Sequence, residues 1–148
     1  MTIQGLCATI GRGTATPEQV AEFNRLCSGF SAELGLRFTS LSAEYVEAEM
    51  KVTSRHLQPD GVVHGGVYCA IAETVGSVAG LLAAPGRVVV GINNSTDFIA
   101  PMKTGVLTAR CEPIQLGGRT QLFLITMLHE GRAVARTNLR TMVLRPVA

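Results

Sequence analysis

Residues 58–77 read Gln58-Pro-Asp-Gly-Val-Val-His64-Gly65-Gly66-Val-Tyr-Cys-Ala-Ile-Ala-Glu73-Thr-Val-Gly-Ser77. A polar loop with Pro-Asp-Gly turn chemistry ends at His64, and from Gly65 to about Ala84 the period is helical. Val67, Ile71, Val75, Val78 and Leu82 share one side of that helix; Gly66, Cys69, Ala70, Glu73, Gly76, Ser77 and Gly80 share the other. The second face is almost wholly small residues with one carboxylate in its middle. Glycine inside a helix costs roughly 1 kcal/mol relative to alanine. Such a face implies close approach of another backbone or of a ligand.

Two chemical features meet in this stretch. The first N–H groups of a helix have no internal partners and carry the positive end of its dipole, and glycines at His64-Gly65-Gly66 let a ligand oxygen come close to them. A carbonyl turning tetrahedral there gains oxyanion stabilisation. Glu73, two turns further on, is a carboxylate with few competing partners, suited to act as a general base on water or as a direct nucleophile. Each part has a plainer reading. His-Gly-Gly is also an ordinary helix-start turn, a helical Glu commonly faces solvent, Gln58 is a common loop residue, and Ser77 can cap a neighbouring carbonyl. Against these, the face around Glu73 holds no other charge, and exposed helical faces are rarely built of Gly, Ala, Cys and Ser.

Outward from this helix the chain reads as short elements. Thr16-Pro17-Glu18-Gln19 gives an N-cap, a proline at the first helical position and acidic first-turn chemistry, so a helix is expected from Thr16 with Val20, Phe23, Leu26 and Cys27 on its apolar stripe and Gly29 as its stop. Leu36 to Leu41 and Glu44 to Val52 read as strands; in the second, apolar residues alternate with charged ones. After Pro85-Gly86 come four expected strands: Arg87 to Phe98 with a polar centre at Asn93-Asn94-Ser95, Gly105 to Ile114, Thr120 to Leu128, and Ala133 to Leu144. Short connections predict an antiparallel meander. One domain over residues 1–148 is expected, an α+β fold in which one antiparallel sheet wraps a long central helix, with residues 1–30 as an N-terminal extension.

Composition narrows the function. The 148 residues carry a formal net charge of +2, with 47% hydrophobic and 16% charged residues. No Lys/Arg run marks a nucleic-acid surface. The four cysteines, Cys7, Cys27, Cys69 and Cys111, have no C-x-x-C spacing for zinc or redox chemistry; three lie in apolar or small-residue surroundings, so the plain reading is reduced, buried thiols. No metal site or cofactor is expected. The first residues lack a basic start and an apolar run, and every apolar stretch is interrupted by Gly, Pro, Arg or Glu, so neither a signal peptide nor a membrane span is expected and a cytoplasmic location is the default.

The loop, the His64-Gly65-Gly66 turn with its helix, and the later strand ending Asp97-Phe98-Ile99-Ala100-Pro101 resemble the hotdog-fold acyl-CoA thioesterases over roughly residues 30 to 145. The likeness is to the branch of the phenylacetate-pathway thioesterase and the Arthrobacter-type 4-hydroxybenzoyl-CoA thioesterase. Many members have Asp where this chain has Glu73; Gln58, His64, Gly65, Glu73 and Ser77 together are similar to the Arthrobacter-type subset, in which Thr often stands at the Ser77 position. The resemblance implies Glu73 as nucleophile or general base, and a Gly65 N–H that polarises the thioester carbonyl. It also implies that Gln58 orients the carbonyl or the water, that His64 holds the loop and can contact the acyl region, and that Ser77 positions Glu73 or the water. It further implies active sites between two subunits, in a homodimer or homotetramer.

Asn93, Asn94, Arg119 and Thr120 are candidate substrate- or CoA-binding residues, with Lys103 and Arg87 as further candidates for a CoA phosphate. Two other functions fit the same fold: an acyl-thioester hydratase or dehydratase, which pairs a His with an acid for proton transfer, and a non-catalytic acyl-CoA binding protein. Free CoA release against double-bond formation separates them.

Overall fold

The computed structural model describes residues 1–145. Its elements are α1 (Ile3–Ile10), α2 (Pro17–Leu26), α3 (Gly29–Glu33), β1 (Leu36–Leu41), β2 (Val46–Lys51), a 3₁₀ turn (Ser54–His56), α4 (Gly65–Ala83), β3 (Val89–Phe98), β4 (Val106–Leu116), β5 (Thr120–His129) and β6 (Arg132–Val143). The six strands form one antiparallel sheet in the order β1-β2-β4-β5-β6-β3. The helix α4 packs against β2, β3, β4, β5 and β6. This is the hotdog arrangement, a sheet curled around one helix.

Burial explains the composition of α4. Tyr68, Ile71, Ala72, Val75, Val78, Ala79 and Leu82 are buried around most of its circumference, as expected of a helix enclosed by its own sheet. The glycines answer to that sheet. A β-carbon at Gly76 would overlap the Leu139 side chain, and one at Gly80 would stand 2.9 Å from both Gln121 Oε1 and Val89 Cγ1. The close approach read from the sequence is thus, at Gly76 and Gly80, the chain's own sheet. Gly66, Cys69, Ala70, Glu73 and Ser77 keep some exposure.

Three further expectations are corrected. The α4 segment of 19 residues has a mean hydropathy of 1.5 and is long and apolar enough to cross a membrane, contrary to the sequence reading; its apolarity here serves the core, where half of it is buried. The meander covers only β4-β5-β6: β3 pairs with β6 rather than with its neighbour in sequence β4, because the turn at Pro101 carries the chain past the meander. The extension holds two helices, α1 and α2, and a third, α3, begins at its end. α1, unforeseen, buries Leu6, Cys7 and Ile10. α2 has the expected capping box of Thr16 and Gln19 but stops at Leu26, and Gly29 opens α3 instead of closing α2.

The extension covers one edge of the sheet. The Ala15 N–H donates to Leu41 O at 2.8 Å, the Ala43 N–H donates to Gly13 O, and the Asn24 amide bonds both main-chain groups of Phe38. Phe23 of α2 meets Phe38 edge-on with ring centroids 4.8 Å apart, and both are fully buried. Burying a phenylalanine is worth roughly 1.5–3 kcal/mol, so the extension is seated by apolar packing and aligned by hydrogen bonds. The opposite edge, β3, pairs only with β6 among the described residues, and the strand and its flanks expose Val88, Val90, Ile92, Phe98 and Ile99.

Candidate active site

The loop before α4 is held at several points. Thr53 N–H donates to His56 Nδ1 at 2.9 Å, and His56 Nε2 lies 2.9 Å from Leu34 O. A carbonyl only accepts, so Nε2 carries the proton and buried His56 is the neutral tautomer. The His64 N–H donates to His56 O and the Val63 N–H to Met102 O. Gln58 O accepts from the Gly61 N–H in a turn that Gly61 makes at φ 78°. His56, to which the sequence reading gave no role, is therefore the anchor of this loop.

At the end of the loop, His64 is the N-cap of α4: its Nδ1 accepts from the Gly66 N–H at 2.8 Å. That bond satisfies one unpaired amide of the helix start, while no described residue accepts from the Gly65 N–H. A β-carbon at Gly65 would stand 2.9 Å from the Phe98 ring, so only glycine fits there without moving that ring. Gln58 and Gly65 line one cavity of about 410 Å³ with Tyr68, Phe98, Ile99 and Pro101. Two of the expected catalytic residues thus share a mostly apolar cleft beside an amide without an acceptor, and an acyl thioester needs such surroundings for its carbonyl.

Glu73 and Ser77 are elsewhere. They are half-buried, one turn apart on α4, and Glu73 lies eight residues beyond Gly65, about 12 Å along the helix axis. The carboxylate rests against Gly91 of β3. Because Gly65 lies under Phe98, Glu73 beside Gly91 and Gly80 beside Val89, α4 and β3 run in opposite directions along each other.

The candidate CoA residues divide. Asn94 is used within the chain: its amide donates to Cys69 O at 2.9 Å and its carbonyl accepts from the Thr96 hydroxyl at 2.8 Å. Asn93 is exposed on β3, and Lys103 is exposed after Pro101. Arg119 and Thr120 are exposed at the β4–β5 turn. Gly117 and Gly118 of that turn share a cavity of about 620 Å³ with Arg12, Arg87 and the C-terminal residues Ala83 and Ala84 of α4. Arg87 also donates to Leu144 O at 2.7 Å. This group lies at the end of α4 opposite Gly65. No group of three or more His, Cys, Asp or Glu side chains suited to a metal occurs among the described residues.

Residues 60–135, which span the α4 start, Glu73 and the strands through β5, match the thioesterase superfamily. The chain belongs to the thioesterase superfamily. The proofreading thioesterase EntH of Klebsiella pneumoniae is 40% identical over 115 residues, 76% of this chain and 84% of that protein. A Haemophilus influenzae thioesterase of known structure superposes with a TM-score of 0.84 at 34% identity, covering 94% of this chain and 97% of the other. The Escherichia coli PaaI protein, from the phenylacetic acid degradation operon, shares the fold with a TM-score of 0.77 at 22% identity, over 86% of this chain and 93% of its own. Membership in this superfamily makes the protein a hydrolase, and thioester hydrolysis is the chemistry its thioesterase relatives support.

Proposed function

We propose that the protein hydrolyses acyl-CoA or aryl-CoA thioesters at a site shared by two copies of the chain, Glu73 coming from one and the Gly65 N–H from the other. The observation that carries this reading is the separation of Glu73 from Gly65 along α4, about 12 Å. An oxyanion donor stands about 3 Å from the carbonyl oxygen, and the acid stands about 3 Å from either the attacking water or the carbonyl carbon, so both must flank one thioester group within a few ångströms. Along one α4 the two groups are too far apart for that, which supports a site completed by a second copy. Strand β3 has a bare edge, and an antiparallel pairing of β3 with its copy sets the two α4 helices running in opposite directions. The Gly65 end of one then approaches the Glu73 region of the other.

In the general-base form, Glu73 takes a proton from water while the oxygen attacks the thioester carbonyl carbon. The oxyanion accepts from the Gly65 N–H, and Gln58, in the same cleft, orients the carbonyl or the water. Collapse breaks the C–S bond, and the leaving thiolate takes the proton held by Glu73. In the nucleophilic form Glu73 attacks the same carbon, expels CoA thiolate and leaves an acyl anhydride that water opens. Ser77, one turn from Glu73, positions the acid or the water. His64 caps the helix and keeps the Gly66 N–H occupied. A cytoplasmic enzyme meeting CoA esters fits the reduced cysteines, all four of which are free thiols.

Steady-state CoA release tests the reading. Glu73→Gln keeps the shape and removes the basic oxygen, so turnover should fall at least about 10²–10⁴-fold, the worth of general-base help, with KM little changed. A Glu73→Gln protein within about threefold of wild type, a gap of ~0.7 kcal/mol, would place the acid elsewhere. Double-bond formation from a hydroxyacyl thioester, with no CoA released, would move the protein to the hydratases.

A further inference from the structure

The structure assigns Gly91 a role in the thioesterase site: by lacking a side chain it seats the Glu73 carboxylate, and so acts as the positioning residue for the acid. This inference rests on the reading of Glu73 as the acid that acts on the thioester.

The three heavy atoms nearest to where a β-carbon would stand on Gly91 all belong to the Glu73 carboxylate; Cδ is at 2.9 Å, Oε2 at 3.2 Å, and Oε1 would overlap it outright. No other residue comes as close to that point. Nor does the backbone call for glycine, since Gly91 is not among the residues with positive φ. Its strand neighbours Val90 and Ile92 are β-branched, the type a strand favours, and glycine in a strand is a weak point. Neither φ nor strand propensity therefore asks for glycine at 91, whereas the Glu73 carboxylate occupies the space a β-carbon would take.

A second feature falls at the same place. The pairing of β3 with β6 slips between Gly91 and Asn93, so that Gly91 faces Thr141 while Asn93 faces Arg140. Such bulges bend a strand locally and re-aim what lies beside it. The slip falls where the Gly91 main chain lies against Glu73 of α4, on a strand that pairs only with β6 among the described residues. Gly91 is exposed and Glu73 is half-buried, so a methyl at 91 pushes on the far end of a flexible side chain rather than on the core. The expected consequence is a displaced acid in an intact fold.

The test is a set of four enzymes, wild type, Gly91→Ala, Glu73→Asp and the double variant Gly91→Ala/Glu73→Asp, assayed for CoA release. Gly91→Ala should lower kcat by about 10- to 100-fold, the cost of misplacing a reacting group by about 1 Å, with KM within about twofold and the thermal midpoint unchanged. The shorter acid of Glu73→Asp withdraws from the added methyl, so the methyl should cost much less in the Glu73→Asp background than in wild type, a non-additive pair. Should Gly91→Ala fold poorly, the double variant should recover the midpoint, because the overlap is with the longer acid. Gly91→Ala with wild-type kcat, effects that simply multiply, or a midpoint not recovered by the shorter acid would each overturn the assignment. Glu73→Gln run alongside separates the two levels: if it abolishes turnover while Gly91→Ala does not matter, only the role of Gly91 fails; if Glu73→Gln is active, both fail.

Discussion

Asn24 closes both main-chain hydrogen bonds of Phe38, accepting from its N–H at 2.8 Å and donating to its carbonyl at 2.9 Å. One side chain thus stands in for the strand that β1 lacks on its outer side. An open sheet edge is a template for pairing with another chain, and proteins usually cover it. Here the N-terminal extension covers the β1 edge and leaves the β3 edge bare. The β3 edge is also the one beside which Glu73 and Gly65 lie, Glu73 against Gly91 and Gly65 under Phe98, so the dimer proposed above would form where both residues are.

Asn24→Ala should remove both bonds and leave two half-buried main-chain groups at Phe38 without partners. The expected loss is about 1–3 kcal/mol in unfolding free energy, the usual cost of an unmade buried hydrogen bond. Turnover well below the melting temperature should hardly change, because this edge is the one away from the site. Urea unfolding and steady-state assays of the same preparation check both halves; an unchanged midpoint would show that α2 is held by Phe23 packing alone.

His56→Ala should act differently. The buried ring joins Thr53 N–H to Leu34 O and so ties the loop that carries Gln58 and His64 to the end of α3. Losing it leaves a buried carbonyl and an amide unpaired, again about 1–3 kcal/mol, and loosens the loop that presents Gln58 to the cleft. Stability and kcat should therefore fall together. A variant destabilised to that extent yet fully active would show that Gln58 keeps its place without the anchor.

The sequence carried the fold where local signals were strong. The helical period from Gly65 and the alternation through β2 put α4 and the strands within a few residues of their places, and the cap of Thr16 marked the start of α2. α1 was missed because its buried set is only Leu6, Cys7 and Ile10 over two turns, too short a stripe to stand out. The pairing of β3 with β6 was not legible, since which strand lies beside which is decided by the whole sheet. The residues of the site were legible one by one, but not their arrangement. That Gln58 and Gly65 share a cleft apart from Glu73, and that Gly91 borders the carboxylate, depend on distant segments meeting. His56 gave no signal beyond being a His in a polar loop.

Burial pushes the Cys7 thiol up from an ordinary 9.0 to about 11, and burial, with the nearby Glu112 charge adding to it, pushes Cys111 up as well. In the unfolded chain these thiols ionise near their ordinary value, so above pH 9.0 the folded state holds more protons than the unfolded one. Stability should then fall with rising pH from about 9, and the Cys7 share should level off near 11. Cys7→Ala should flatten this decline relative to wild type. Urea midpoints of both proteins measured from pH 8 to 11 test it; parallel curves would mean that Cys7 ionises alike in both states.

Complementation between two dead variants tests the shared site most directly. Glu73→Gln lacks the acid, and Gly65→Pro lacks the N–H donor and should lose about 10²–10³-fold or more in turnover. If each site takes Glu73 from one chain and Gly65 from the other, a mixed dimer has one site with both defects and one with none. Unfolding the two variants together in equal amounts and refolding them should give mixed dimers as about half of the population, each with one intact site, and so about a quarter of wild-type activity. Each variant refolded alone should stay inactive, which controls for recovery during the procedure. Circular dichroism and light scattering must first show that both variants fold and associate, since proline can disturb a helix start. Activity that stays at the level of the separate variants, in a sample shown to contain mixed dimers, would mean that Glu73 and Gly65 serve the thioester from the same chain, and the helix spacing of about 12 Å between them would then have to be bridged by movement of the loop that ends at His64.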